Sequence, residues 1–251
     1  MQAMSGHSKW HNIKVRKEKA DAQKGRVFTQ VAKEIIVAAE QGGGNPDSNA
    51  RLRTAMQKAR EAGMPQDNVK RAIQRGTGEI EGTAYEEVTY EGYGPGGVAI
   101  MVEAVTDNKN RTVSELRAVL SKAGGNLGES GCVAWMFHSK GVILLDRSQI
   151  EEDPLMELAL EAGAEDVRTG DSTYEILTAP SELERVKNAL IARELKLESA
   201  EVAFIPDTTV HVEGRQAESV LRLMEALEDQ EDVQRVHANF DIPDAVLEAA
   251  A

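Results

Sequence analysis

Residues 142–205 read VILLDRSQIEEDPLMELALEAGAEDVRTGDSTYEILTAPSELERVKNALIARELKLESAEVAFI. Hydrophobic period two alternates with period 3.6 along this stretch. Strands are expected at Val142–Asp146, Glu165–Arg168, Thr173–Thr178 and Ala200–Ile205, and helices at Ile150–Ala162 and Ser181–Glu194. That order, βαββαβ, is the split arrangement of a ferredoxin-like unit.

The segments on either side repeat part of the pattern. Upstream, strand 98–105, helix 112–123 and strand 133–137 read as βαβ, after a strand at Val88–Glu91. Downstream, strand 208–212, helix 215–227 and strand 233–240 read as a second βαβ. Joined, the two halves make another split βαβ unit. The expected fold is therefore α+β and multidomain: a helical domain at 1–78, a discontinuous α+β domain at 79–138 and 206–251, and an inserted α+β domain at 139–205.

The first 78 residues read as helices. Apolar residues at Val27 or Phe28, Val31 and Ile35 recur at helical spacing within Lys17–Gln41, and Gly42-Gly43-Gly44 ends that helix. Asn45 is the expected N-cap of a second helix, with Pro46 at its first position and Leu52, Ala55, Met56 and Ala59 inward. Pro65 starts a third, which buries Val69, Ala72 and Ile73.

The chain of 251 residues has a net charge of −13. That total averages two unlike parts. Residues 1–78 carry 15 Lys+Arg against 7 Asp+Glu, a net of +8; residues 79–251 carry 14 against 35, a net of −21. A basic head on an acidic body points to a polyanionic partner for the head. A single cysteine excludes a disulfide framework and any multi-cysteine metal site. No apolar run approaches the ~20 residues of a membrane span, so no membrane partner is expected and the compartment is read as cytoplasmic.

The densest local signal is Ser5 to Lys17, where His7, Lys9, Trp10, His11, Lys14, Arg16 and Lys17 interleave cations, imidazoles and an indole. Cations neutralise phosphates, and Trp10 is placed to stack on an exposed base. Lys24 and Arg26 extend the stripe. The same run also reads as a solvated arm, or as one docked on the acidic body. His7 and His11 have the spacing of two metal ligands on a helical turn, but no third ligand stands nearby, and no metal site is assigned.

Thr106 to Thr112 joins a strand to a helix. Asn110 or Thr112 is the expected cap, and Lys109 and Arg111 stand beside a helix N-terminus suited to phosphate. Gly92-Tyr93-Gly94-Pro95-Gly96-Gly97 matches G-x-G-x-x-G in letters only: a strand follows it, so it reads as a hairpin turn. No catalytic set is found. Cys132 opens the apolar run to Phe137 and reads as buried, and His211 and His237 fall inside strands. No cofactor or small-molecule substrate is implied.

Gly6-His7-Ser8-Lys9-Trp10-His11-Asn12-Ile13-Lys14, Met64-Pro65, Arg75-Gly76-Thr77-Gly78, Tyr90 to Gly97 and Thr106 to Thr112 together resemble the motifs of the YebC/PmpR family, in order and over nearly the whole chain. The resemblance implies a cytoplasmic, non-enzymatic protein of three domains. The family is labelled as probable transcriptional regulators, with DNA binding in some members. Others, including the mitochondrial translational activator of cytochrome c oxidase, act on translation, associate with the ribosome and ease stalling at proline-rich stretches. Carried over, His7, Lys9, Trp10, His11, Lys14, Lys109 and Arg111 are the implied contacts. The residues show no recognition-helix module and no aromatic RNA-binding sheet pattern, which favours structured RNA or the ribosome over operator DNA. A protein-binding adaptor using the acidic body is the remaining reading.

Overall fold

The computed structural model describes Trp10, residues 24–170, residues 172–243 and Val246. Among the described residues from Lys24 on, three helices lead into the sheets: α1 (Lys24–Gly42), α2 (Ala50–Glu61) and α3 (Gln66–Gly76). They bury a cluster of Ile35, Ile36, Ala38, Leu52, Ala55, Ala59, Met64, Val69 and Ala72. Small side chains let α3 lie close to α1: a Cβ at Gly76 would run into the Ile36 carbonyl oxygen.

The cap of α2 differs from the expected Asn45. Asn49 is the N-cap; its Oδ1 accepts from Leu52 N at 3.0 Å, while its Nδ2 donates to the carbonyls of Ala38 (2.7 Å) and Gly43 (2.9 Å). One side chain thus satisfies an orphan donor of α2 and orphan acceptors at the end of α1. Asn45 instead accepts from Asp47 N in a local turn.

Two four-stranded sheets follow. The first has the order β3 (Asn126–Leu127), β1 (Glu86–Tyr93), β2 (Ala99–Thr106), β9 (Val233–Ala238), with neighbours antiparallel. Its core includes side chains of α4 (Lys109–Lys122) and α7 (Gly214–Glu228). The second has the order β5 (Ala164–Thr169), β6 (Thr173–Thr178), β4 (Phe137–Asp146), β7 (Leu197–Pro206), and packs on α5 (Glu152–Ala162) and α6 (Leu183–Ile191). That is the strand order of a split βαβ unit. The fold is α+β and multidomain, and the first sheet takes strands from both sides of the second in sequence.

The first sheet departs from the expected pattern in two ways. The strand expected at 208–212 does not join it; beside β2, opposite β9, lies β1, paired through the expected hairpin turn. The Gly94–Gly97 turn, with Gly96 and Gly97 at positive φ, lets β1 and β2 pair over their full length from Glu86↔Thr106 to Tyr93↔Ala99. Only β8 (Val210–His211) forms downstream, in a two-residue parallel pairing with β10 (Phe240–Asp241).

The expected strand 133–137 is also absent; Ala134–Met136 is a turn of 3₁₀ helix. The cause is Glu91. This carboxylate, 5% exposed, accepts from the backbone N–H of Gly131, Val133 and Ala134, each at 2.7 Å, so those donors are unavailable to a strand ladder. Burial pushes the Glu91 pKa up, but the three N–H groups outweigh it and hold the carboxyl below its ordinary value. Glu91→Gln sets an amide N–H against backbone donors and is expected to lower stability by about 2 kcal/mol, read as a fall in Tm. An unchanged Tm would show that the loop is held by other contacts.

Candidate nucleic-acid interface

Of the residues the sequence singles out, His7, Lys9, His11, Lys14, Arg16 and Lys17 lie outside the described residues. Lys24 opens α1. Trp10, Arg26, Lys109 and Arg111 are placed, the three cations in ion pairs.

Trp10 is 3% exposed and belongs to the core of the first sheet with Tyr90, Leu116 and Val246. That burial corrects the stacking role expected of it. The exposed indole is Trp135, at 68%, turned outward by the 3₁₀ turn, with Nε1 donating to the Cys132 carbonyl at 3.2 Å. Sequence reading placed it in a strand, and no local signal separates the two tryptophans.

Arg26 belongs to a row on α1 that grips the turn between α7 and β9. Its guanidinium donates to the Asp229 carbonyl and pairs with the Asp229 carboxylate, both at 3.0 Å. Gln30, one helical turn on, donates to the carbonyls of Glu228 (3.2 Å), Gln230 (3.3 Å) and Val233 (2.9 Å). Lys33, the next in the row, donates to the Glu231 carbonyl at 3.2 Å and to Asp232 Oδ1 at 2.7 Å. The spacing i, i+4, i+7 sets all three on one side of the helix, facing the turn that follows α7.

Asp232, 1% exposed, is where this row meets the Thr106–Thr112 loop. Arg111 Nη2 lies 2.8 Å from its Oδ2, and the hydroxyls of Thr112 (2.7 Å) and Thr106 (3.1 Å) donate to the same oxygen. Arg111 also pairs with Asp107 at 2.8 Å, and its pKa is raised chiefly by Asp232 and then Asp107. Lys109 Nζ lies 2.5 Å from Glu86. The cap of α4 is Asn108, which accepts from Arg111 N at 3.1 Å, rather than Asn110 or Thr112: Thr112 is drawn inward to the aspartate. The visible motif cations thus clamp parts of the molecule together.

Between α1, α2 and the edges of both sheets lies a cleft of about 1250 Å³. Glu34, Glu61, Glu87, Glu103, Glu184 and Glu201 outnumber Arg51, Lys58 and Arg235 in its wall. Those cations are engaged. Arg51 holds Glu34 (2.8 Å) and Glu87 (2.5 Å), Lys58 reaches Glu201 (3.3 Å), and Arg235 faces Glu103 (3.8 Å). Such a wall repels a polyanion.

For catalysis little converges. The Cys132 thiol pKa is pushed up by burial and by Glu91, away from the reactive thiolate. His138 pairs with Asp207 at 2.7 Å, and His211 and His237 have carboxylate partners in Asp241 and Glu103. Among the described residues no group of three or more His, Cys, Asp or Glu could hold a metal ion, and no helix is long and apolar enough to cross a membrane.

Two predictions follow from this geometry. Burial pushes the Asp232 pKa up, but Lys33, Arg111 and Thr112 outweigh it and hold the value at about 2 against an ordinary 3.8. Its stabilisation is therefore full above the unfolded value near pH 4 and is lost as pH falls toward 2, about 2 kcal/mol in all. Asp232→Asn is expected to lose that pH-dependent component and, with Lys33 left buried beside a neutral amide, to cost about 3–5 kcal/mol near neutrality by urea titration. Parallel pH profiles for the two proteins would remove Asp232 from this role. In acrylamide quenching, one indole is expected to be accessible and one shielded, with Trp135→Phe leaving only shielded emission. Quenchable emission from that variant would return Trp10 to the surface.

Comparison with known proteins adds the following. Residues 8–79 match the family model of the TACO1/YebC protein N-terminal domain, and residues 85–240 that of the TACO1/YebC second and third domain. A protein of Dictyoglomus turgidum named "probable transcriptional regulatory protein" is 59% identical over 247 residues, 98% of this chain and 99% of its own. One of the same name from Pelotomaculum thermopropionicum is 56% identical over 243 residues, 96% of this chain and 100% of its own. The crystal structure of a conserved hypothetical protein from Aquifex aeolicus is similar at TM-score 0.78 and 50% identity, covering 89% of this chain and 92% of that one.

Proposed function

Because the chain belongs to the TACO1/YebC family, we propose that it is a non-enzymatic, nucleic-acid-binding regulator of gene expression that acts on translation at the ribosome. In this reading the basic N-terminal domain contacts structured RNA, and the action is to ease stalls at proline-rich stretches in the cytoplasm. The observation that carries it is the charge division, +8 over residues 1–78 against −21 over the rest. An acidic body turns a polyanion away from most of the surface and leaves the head to meet it.

The proposal includes the division into 1–78, 79–138 with 206–251, and an insert at 139–205. Separate apolar clusters in the helices and on each sheet support it. Recognition of shape and phosphate, rather than base stacking on a sheet, is supported by the first sheet. The face bearing Ala99 and Met101 is covered by Val133, Met136 and Phe137, so it offers no open aromatic platform.

The names of the relatives favour a second reading, a DNA-binding transcriptional regulator. Crosslinking in cells followed by sequencing of bound RNA and DNA separates the two. Enrichment of ribosomal RNA is the expected result, enrichment of promoter DNA would replace it with the second reading, and enrichment of neither would overturn both.

A further inference from the structure

We propose that the outward side of α2 and α3, carrying Arg53, Arg60, Lys70, Arg71 and Arg75, is the surface that takes the phosphodiester backbone of duplex nucleic acid. This rests on the proposed nucleic-acid-binding function and names the site within it.

The described cations of the helical unit fall into two groups. Those facing the body are spent on carboxylates: Arg26 on Asp229, Lys33 on Asp232, Arg51 on Glu34 and Glu87, Lys58 on Glu201. A phosphate could reach them only by displacing a partner already in contact. The five outward cations are exposed, and none has an ion-pair partner among the described residues. Their charge is therefore available to a polyanion.

Helix geometry sets each group on its own side of each helix. On α2, Arg53 and Arg60 are seven residues apart, hence on one side and about 10 Å from each other along the axis. Arg51 and Lys58, also seven apart, stand on the opposite side and line the acidic cleft. On α3, Val69 and Ala72 are buried in the helical core. Arg71 and Arg75, one turn apart, lie on the far side, with Lys70 on the flank.

Two of the side chains are held by uncharged groups. Arg53 Nη1 donates to the Pro46 carbonyl at 3.0 Å, which orients the guanidinium without neutralising it. The Arg75 stem lies over Gly82, where an added Cβ would stand 3.3 Å from its Cγ and Cδ. The acids of these two helices, Glu61 and Asp67, keep their charge but are outnumbered by the five cations, and Glu61, which accepts from Gln57, lines the acidic cleft. Neither helix carries an aromatic residue, so the surface reads backbone charge and not base identity.

The full chain is titrated with a short RNA hairpin, and separately with a DNA hairpin of the same sequence, over a range of salt concentrations. Both probes present the same phosphate chemistry, and the two arms show which the surface prefers. Arg71→Glu with Arg75→Glu, and separately Arg53→Glu with Arg60→Glu, are expected to weaken binding about tenfold or more and to reduce the salt slope by about one per lost contact. The Arg→Lys versions are expected to retain binding. Arg215→Glu with Arg222→Glu on α7 makes the same change in net charge elsewhere and is expected to leave binding unchanged. Melting curves establish that each variant is folded. Wild-type binding with an unaltered slope in both outward variants, or an equal loss in the α7 variant, overturns this surface and leaves the proposed function standing. Absence of wild-type binding to either probe overturns the function itself.

Discussion

Asp232 has almost no access to water, yet it is held by polar partners from three separate parts of the chain. Lys33 reaches it from α1, Arg111 and Thr112 from α4, and Thr106 from the end of β2. A buried carboxylate is tolerable only when paired and hydrogen-bonded, and here every partner comes from another element. The requirement to satisfy one anion therefore fixes how α1 lies against the first sheet. Arg26 and Gln30 extend that line of contact along the helix, and Arg51 adds a second tie through Glu87 on β1.

The same requirement sorts the basic residues. A cation recruited to hold the body cannot also serve a phosphate without unmaking the joint. Arg26 is recruited in this way, and Arg111 holds Asp232 from the body side, although their sequence context suggested exposed contacts. The charges that remain on the outer side of α2 and α3 are those the architecture does not need.

Much of the fold was legible because it is local. The second sheet and its two helices follow from alternating periods within 142–205, and the Gly94–Gly97 hairpin from its turn residues. What escaped is long-range. Nothing in Cys132 to Phe137 reveals that Glu91, some forty residues earlier, takes its N–H groups; the segment reads as a strand until that carboxylate is placed. Asn45 and Asn49 are equivalent as letters, and only the position of the α1 carbonyls selects Asn49. Trp10 sits in the most basic stretch of the chain, yet its indole is buried, while Trp135 sits in an apolar run and is exposed. The charge division was legible from counting, but Asp232 was one acid among many in a turn without a motif.

The Lys33–Asp232 contact joins positions 199 residues apart. Ribosomal synthesis is vectorial, so the three N-terminal helices emerge long before the turn that receives them. β9, the edge strand beside β2, emerges later still. While the chain is nascent, the basic head has no anchorage at Asp232, and a product truncated before that residue cannot acquire it. Correct orientation of the head is thus a late event in maturation, conferred only once synthesis has passed Asp232.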